Sequence, residues 1–339
     1  MVVQFEPLDF DFIVERDRHQ DRIEQMTPVF ASADHAQVEI DFRRRSNLHA
    51  PLGNIGATQL RSMRITMSKD TVKFLDAAWR AADSAGTLIR ESWLQPKEID
   101  YKGVIDLVTS VDRASERKIV EIIRHHFPDH SILAEEDTDY KGAQSKYLWI
   151  IDPLDGTTNF VHSYPQFCVS IALERDGEAI LGLVYDPLRR ECFRALKGEG
   201  ATLNGDTIRV SNVAALNDAL LATGFPYDRR ENADYYLTFF KAFLTRSQGI
   251  RRAGAAALDL CYLACGRIDG FWELKLRPWD VAAGALIVAE SGGRLTDLSG
   301  NEFSIRGNET LASNGAIHDE MVKVTIAARH QASELQPRL

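Results

Sequence analysis

Apolar residues at Val72, Leu75, Trp79, Ala82, Gly86, Ile89 and Trp93 recur at three- and four-residue steps. That spacing predicts an amphipathic helix starting near Asp70, a residue suited to the N-cap. A second helix is predicted after Asp112, with Ile119, Ile122, Ile123 and Phe127 inward and Pro128 beyond its end. The period then shortens. SILAEED reads as a short strand ending in acids, and YLWII (147–151) as a strand buried on both faces. From Phe167 to Gly205, apolar runs are split by RDGE, DPLRR and GEG, which predicts an antiparallel meander. AAALDLCYLACG and DVAAGALIVAESGG read as helices closed by glycine, and GGRLTDLSGNE adds a strand and a turn. Helices alternating with antiparallel strands predict stacked layers of sheet and helix. The chain shows no repeat and no low-complexity tract.

The first 66 residues break this pattern. They contain no lysine, carry Arg43, Arg44 and Arg45 in a row, and offer only ADHAQVEIDF (33–42) as a short strand. They read as a weakly ordered extension in preference to an arm for a partner. Met63 and Met67 precede the first helix, and either would serve as an alternative start. Four segments are expected: the extension 1–66, an α+β half 67–225, a C-terminal α/β half 226–328 of the same catalytic unit, and a tail 329–339.

Composition narrows the functions available. At 339 residues and 45% apolar content the chain can bury a sizeable core. Forty Lys and Arg against 49 Asp and Glu give a net charge of −9. Nucleic acid needs a basic footprint and is not expected as a partner. An anionic substrate requires bound metal to reverse the local field. Cys168, Cys192, Cys261 and Cys265 show no disulfide spacing, and Cys261 and Cys265 read as small apolar residues on a buried helix. A reducing cytoplasm is expected. No run approaches the about 18 apolar residues of a spanning helix, so no membrane association is expected. The N-terminus lacks the basic patch and apolar core of a signal peptide.

Four acidic clusters fall at element edges: DLVTSVD ending at Asp112, AEED with Glu135 and Glu136, DPLDGTT with Asp152 and Asp155, and LRPWD ending at Asp280. Singly, each has an ordinary reading. Asp-Pro and Asp-Gly are turn dipeptides, and Asp112 and Asp280 would serve as helix N-caps. Together they form the oxygen-rich inventory of a hard cation such as Mg²⁺, and no Cys/His spacing points to zinc. An Asp-Pro-Leu-Asp turn would direct both carboxylates to one point with the Leu154 carbonyl between them. A helix starting after Gly156 would present the amides of Gly156, Thr157 and Thr158 as an anion cradle. Metal plus cradle is a phosphate site.

WIIDPLDGTTNFVH (Trp149–His162) resembles the signature of the inositol monophosphatase family. DLVTSVD, AEED, GLVYDP, GEGATLNG and PWDVAAGALIVAESGG resemble its further blocks in the same order, over residues 70 to 325. DGTTNFVH favours that branch over the nucleotide phosphatases. The resemblance implies an α+β fold, a layered αβαβα sandwich of the inositol monophosphatase/fructose bisphosphatase type, and Mg²⁺-dependent hydrolysis of phosphomonoesters with two to three ions. It places Glu135, Asp152 and the Leu154 carbonyl on one ion, and Asp152, Asp155 and Asp280 on a second. A third, weaker ion would bind Glu135 and water near Asp112. Asp112 and Thr157 would activate water, and Gly156 and Thr157 would hold phosphate oxygens. Asp155, Ala256, Glu273 and Asp280 would contact the alcohol, and Lys102 would lie in a mobile loop over the site. Lithium sensitivity and a homodimer are also implied.

The chain departs from mammalian members in TGFPYD (223–228), which replaces a region carrying a serine, and the 66-residue leader has no counterpart in the family core. His125 and His126 read as surface residues at a helix end. The expected substrate is a small phosphorylated alcohol, first myo-inositol 1-phosphate, with histidinol phosphate or fructose 1,6-bisphosphate as alternatives. A regulatory binding protein with a vestigial site is the rival from another class, and the complete set of site residues argues against it.

Overall fold

A computed structural model describes residues 37–38, 65–66, 68–95, 99–101, 107–142 and 145–335. The chain divides into two units, Met1–Val72 and Lys73–Leu339. In the first, β1 (Gln37–Val38) pairs antiparallel with β2 (Ile65–Thr66). The α1 helix (Lys69–Ser92) starts one residue after Ser68, whose hydroxyl accepts the Thr71 amide at 3.1 Å. Ser68, not Asp70, is therefore the N-cap, and Asp70 lies in the first turn.

The second unit continues with β3 (Ile99–Tyr101), β4 (Leu107–Thr109), α2 (Ser110–His126), β5 (Ser131–Ala134), β6 (Asp139–Tyr140) and β7 (Tyr147–Asp155). A short α3 (Thr157–Val161) leads to the predicted meander, β8 (Cys168–Arg175), β9 (Glu178–Asp186), β10 (Glu191–Leu196), β11 (Gly200–Leu203) and β12 (Asp206–Thr207). Then come β13 (Leu220–Thr223), α4 (Ala233–Leu244), β14 (Gly249–Arg251), α5 (Ala256–Ala264), β15 (Gly270–Leu274), α6 (Pro278–Glu290), β16 (Arg294–Thr296), β17 (Glu309–Ser313) and α7 (His318–Leu335). Among the described residues of this unit there are two sheets besides the β3–β4 pair. One has eight strands in the order β12-β11-β10-β9-β8-β7-β5-β6, and the other has five, β14-β13-β15-β17-β16.

Strand alternation assigns the layers. Trp149 and Ile151 of β7, with Val169 and Ile171 of β8, face a core shared with Phe74, Ala81 and Ile89 of α1 and Ile119 and Ile123 of α2. Ile150, Ala172 and Val184 point the other way, into a core made with α5 and α6 and with Ala222, Phe271 and Ala312 of the smaller sheet. Leu221, Trp272 and Leu311 face a third core beneath α4 and α7. The stack is helix, sheet, helix, sheet, helix: the αβαβα sandwich. Both sheets are covered on both faces, which is why YLWII shows no polar alternation.

The buried stripe of α1 differs from the predicted one. Ala82, Gly86 and Ile89 are buried, but the centre of the face is Phe74, Ala77, Ala78, Ala81 and Ala85. Small residues let the helix approach the sheet. Trp79 packs at the rim, edge-on to Tyr185 at 5.3 Å. In α2, Ile119 and Ile123 are buried as predicted, while Ile122 and Phe127 are only partly covered. Its first two turns bury Asp112, Ser115 and Glu116 instead, a polar stripe at helical spacing. His125 and His126 end the helix and are exposed.

Candidate active site

The site is assembled where β7 ends. Its ladder with β8 pairs Asp152 with Ser170 and Asp155 with Cys168, with a register shift between them. Asp-Pro-Leu-Asp is therefore an irregularity inside a strand and not the predicted turn beyond it. Pro153 has no N–H for the ladder, and the Leu154 amide bonds instead to Asp152 Oδ1 at 2.9 Å. Ser115 of α2 donates its hydroxyl to the Pro153 carbonyl at 2.8 Å, fixing the bulge from below. Gly156 follows with φ +91°, and a Cβ there would lie 2.8 Å from the Gln166 carbonyl, so glycine is required twice over. The predicted helix start is present, since α3 begins at Thr157.

Asp112 is fully buried. It is not an N-cap: Thr109 caps α2, and Asp112 is the third helical residue of a capping box. Thr109 gives both its amide and its hydroxyl hydrogen to Asp112 Oδ2, at 2.8 and 2.5 Å. The Thr157 hydroxyl lies 2.8 Å from Asp112 Oδ1 and 3.1 Å from the Leu154 carbonyl. A hydroxyl has one hydrogen, and the closer, charged acceptor takes it. Burial raises the Asp112 pKa, against the hydrogen bonds from Thr109 and Thr157 that lower it.

Three further carboxylates surround Asp152. Burial, then Glu135, Asp155 and Asp280, hold its pKa well above the usual carboxylate range. Asp155 is pushed up to about 7, mainly by burial, while the Ala257 amide at 2.8 Å pulls the other way. Glu135 closes β5, its amide bonded to the Ile151 carbonyl at 3.2 Å. The acidic loop after it is held by Glu116 of α2, which accepts the Glu136 and Asp137 amides at 2.8 and 3.0 Å and the Thr138 hydroxyl at 2.7 Å. Asp280 is the third residue of α6, again not its N-cap, and accepts the amide of the capping residue Arg277 at 2.7 Å.

Among the described residues no three His, Cys, Asp or Glu side chains already stand as a metal cage. The donor chemistry nonetheless fits a hard cation. Glu135, Asp155 and Asp280 each raise the pKa of Asp152 by their charge, and every candidate ligand atom is oxygen. A divalent ion would offset that repulsion and draw the side chains inward.

On the alcohol side, Ala256 opens α5, and Glu273 lies buried in β15 with its pKa raised by burial and then by Asp259. Asp280 and Asp155 also reach Glu273 electrostatically, so the two ends of the predicted set converge. Trp272, its neighbour in sequence, faces away into the third core against Phe243, 4.3 Å between ring centroids. Lys102 lies outside the described residues.

Sequence reading overlooked several supports. Thr109 was legible in TSVD, a threonine three residues before an acid. Glu116 and Ser115 were legible only as polar interruptions of an apolar face. Asn159, whose side-chain amide donates to the Gln166 and Ala253 carbonyls at 2.7 and 2.9 Å, and Asp259 carry no local signal.

Fold and site together define a layered α/β protein with a buried, oxygen-lined acidic centre beside a strand-to-helix turn. The chain belongs to the inositol monophosphatase family, whose profile matches residues 70–334. It is 44% identical over 259 residues to the inositol-1-monophosphatase of Synechocystis, covering 76% of this chain and 90% of that protein. It is 47% identical over 246 residues to the Nus factor SuhB of Pseudomonas aeruginosa, covering 71% and 91%. Among solved structures, the inositol monophosphatase of Anabaena superposes with a TM-score of 0.70 at 43% identity, covering 76% of this chain and 97% of that one.

Proposed function

We propose that this protein is a Mg²⁺-dependent phosphomonoesterase, with myo-inositol 1-phosphate as its first-choice substrate. The observation that carries the reading is the half-buried Thr157 hydroxyl bonded to buried Asp112 at 2.8 Å, set against the mutually repelling carboxylates Glu135, Asp152, Asp155 and Asp280. Glu135, Asp152, the Leu154 carbonyl, Asp155 and Asp280 would hold two to three Mg²⁺ ions. When bound, these supply charge neutralisation at the phosphoryl oxygens and lower the pKa of water.

The chain's own groups do the rest. Asp112 takes the Thr157 hydroxyl hydrogen, which turns the oxygen lone pairs of Thr157 outward to accept from a water and orient it for in-line attack. The amides of Gly156 and Thr157 would donate to the phosphate oxygens. Ala256, Glu273, Asp155 and Asp280 would bind the alcohol. Residues 67–225 and 226–328 are read as two halves of this one catalytic unit, acting as a homodimer in the cytoplasm and inhibited by Li⁺.

The test is phosphate release with and without Mg²⁺ from inositol 1-phosphate, histidinol phosphate, fructose 1,6-bisphosphate and adenosine 3′,5′-bisphosphate. Mg²⁺-dependent release, fastest from inositol 1-phosphate, is expected. Release from none of them would overturn the reading. A second reading rests on the relative named as a Nus factor: a protein-binding role in addition to, or in place of, turnover. It predicts that an inactive variant such as Asp155→Asn still supports the biological role, whereas the phosphatase reading predicts that it does not.

A further inference from the structure

Two segments distant in the chain meet at the site. Gly156 and Thr157 lead into α3, whereas Ala256 opens α5 and the Ala257 amide holds Asp155 Oδ2 at 2.8 Å. One side chain ties the two segments together. Asn159, half-buried in α3, donates from Nδ2 to the Ala253 carbonyl at 2.9 Å and to the Gly254 carbonyl at 3.2 Å, 94 and 95 positions away. The same nitrogen donates to the Gln166 carbonyl at 2.7 Å. Three carbonyls around one atom fix the orientation of the amide, because its NH₂ end donates and its oxygen cannot.

Both ends of this bridge are built for close approach. The Gln166 carbonyl that Asn159 holds is the one against which Gly156 packs. At the other end Gly254 has φ +86°, and a Cβ there would lie 3.3 Å from Asn159 Nδ2 and 2.7 Å from Arg252 Nη1. Glycine lets the main chain come up to the amide. The Asn159 main chain is fixed as well, since its carbonyl accepts the Tyr164 amide at 2.8 Å. The three acceptors of the side chain are all main-chain carbonyls. What it sets is therefore the course of two segments, and not the charge of any group.

We propose that Asn159 is a positioning residue: its side-chain amide sets the spacing between the phosphate cradle at Gly156 and Thr157 and the segment 253–257, and so aligns the two parts of the ester across the bond that is cleaved. This rests on the phosphatase reading above. A ligand that occupies one side alone has no need of the spacing. An ester that spans both sides does, since misplacement by about 1 Å costs up to about a hundredfold in rate. Asn159 therefore acts on the joined substrate and not on its separate pieces.

The test uses the full chain with Mg²⁺, whichever of the four esters above it hydrolyses fastest, and the two products of that ester as inhibitors. In Asn159→Ala, kcat/KM is expected to fall about tenfold or more, while the inhibition constants of inorganic phosphate and of the dephosphorylated product stay within about threefold of wild type. A residue that merely supports the fold would move all three together, and that outcome overturns the proposal. A kcat/KM within about twofold of wild type overturns it too. Gly254→Ala presses on the same bridge from the other side and should reproduce the pattern; unchanged turnover there counts against the bridge. Should neither variant fold, hydrogen exchange of the wild type decides. With Mg²⁺ present throughout, added phosphate should slow exchange of the amides at 253–257 as well as those at 156–161, because the bridge makes them open together. Protection confined to 156–161 overturns the proposal. If the wild type hydrolyses none of the four esters, the phosphatase reading fails first and this inference with it.

Discussion

Thr157 and Asp112 stand 45 positions apart, yet their oxygens meet at 2.8 Å, Asp112 buried and Thr157 half-buried. Thr157→Val keeps the shape of the side chain and removes the hydroxyl, so phosphate release is expected to fall about 10²- to 10⁴-fold with little change in melting temperature. Single-turnover rates would check this, and an unchanged rate would remove Thr157 from the water-orienting role. His318, far along the chain, gives a pH prediction. It is buried between Thr296 and Ser313, each 2.9 Å from a ring nitrogen. The Thr296 hydroxyl also donates to the Asp297 carbonyl at 2.7 Å, so it accepts from His318 Nε2–H, and Ser313 donates to Nδ1. The ring is neutral, its pKa lowered to about 4 by burial first and then by Arg294. Against an unfolded value of about 6.5, the unfolded chain binds the extra proton between these limits. This stability contribution is complete above pH 6.5 and is lost as pH falls toward 4, by at most about 1.4 kcal/mol per pH unit. Raised carboxyls such as Asp155 contribute a slope of opposite sign over the same range, so the His318 part is read as the difference between wild type and His318→Asn in denaturation midpoints from pH 7 to pH 4: the wild type should lose more stability, or gain less, as pH falls.

The α2 helix serves two layers at once. Its later turns bury Ile119 and Ile123 against the large sheet, while its first turns aim Asp112, Ser115 and Glu116 at the Thr157 hydroxyl, the bulge and the acidic loop. Glu116 holds three donors from the segment following Glu135. Glu116→Ala leaves those donors unpaired and is expected to destabilise the protein by about 2–4 kcal/mol and to weaken Mg²⁺ binding, read by calorimetric titration with Mg²⁺ alone. Unaltered Mg²⁺ affinity would show that the loop keeps its place without this helix. The α1 helix tests packing. Ala81 is fully buried on the stripe facing the sheet, so Ala81→Leu overpacks it and costs about 1–3 kcal/mol in denaturant titration. The same change at exposed Arg80 should cost nothing measurable.

At the scale of the whole molecule, stability and site chemistry oppose each other. The carboxyls of Asp152, Asp155, Glu135 and Asp280 are brought together from β7, the residue after β5, and α6 at a cost in mutual repulsion. Removing one should therefore stabilise the metal-free protein. Asp155→Asn is expected to raise its melting temperature in EDTA, to abolish most phosphate release, and to shrink the rise in melting temperature that Mg²⁺ gives the wild type. That rise corresponds to about 2.7 kcal/mol at a hundredfold excess over the dissociation constant. A variant that melts lower in EDTA, or gains as much from Mg²⁺ as the wild type, would contradict the assignment of Asp155 to the ions.

The elements and the chemical inventory are written in short stretches of the chain. Helical spacing showed α1 and α2, alternation split by turn residues showed the meander, and four acidic clusters at element edges pointed to an oxygen-donor site. These features are local, because period, capping and turn chemistry act over a few residues. Tertiary structure decided what depends on contacts between distant positions. It turned the buried face of α1 toward its alanines, because the sheet, not the helix, sets how close they approach. It made DPLD a bulge within β7, because β8 continues the ladder past Pro153. It moved Asp112 and Asp280 from cap positions to the third helical residue. And it brought buried Asp259 of α5 within the electrostatic field of Glu273 of β15, a meeting no single stretch of the chain could show.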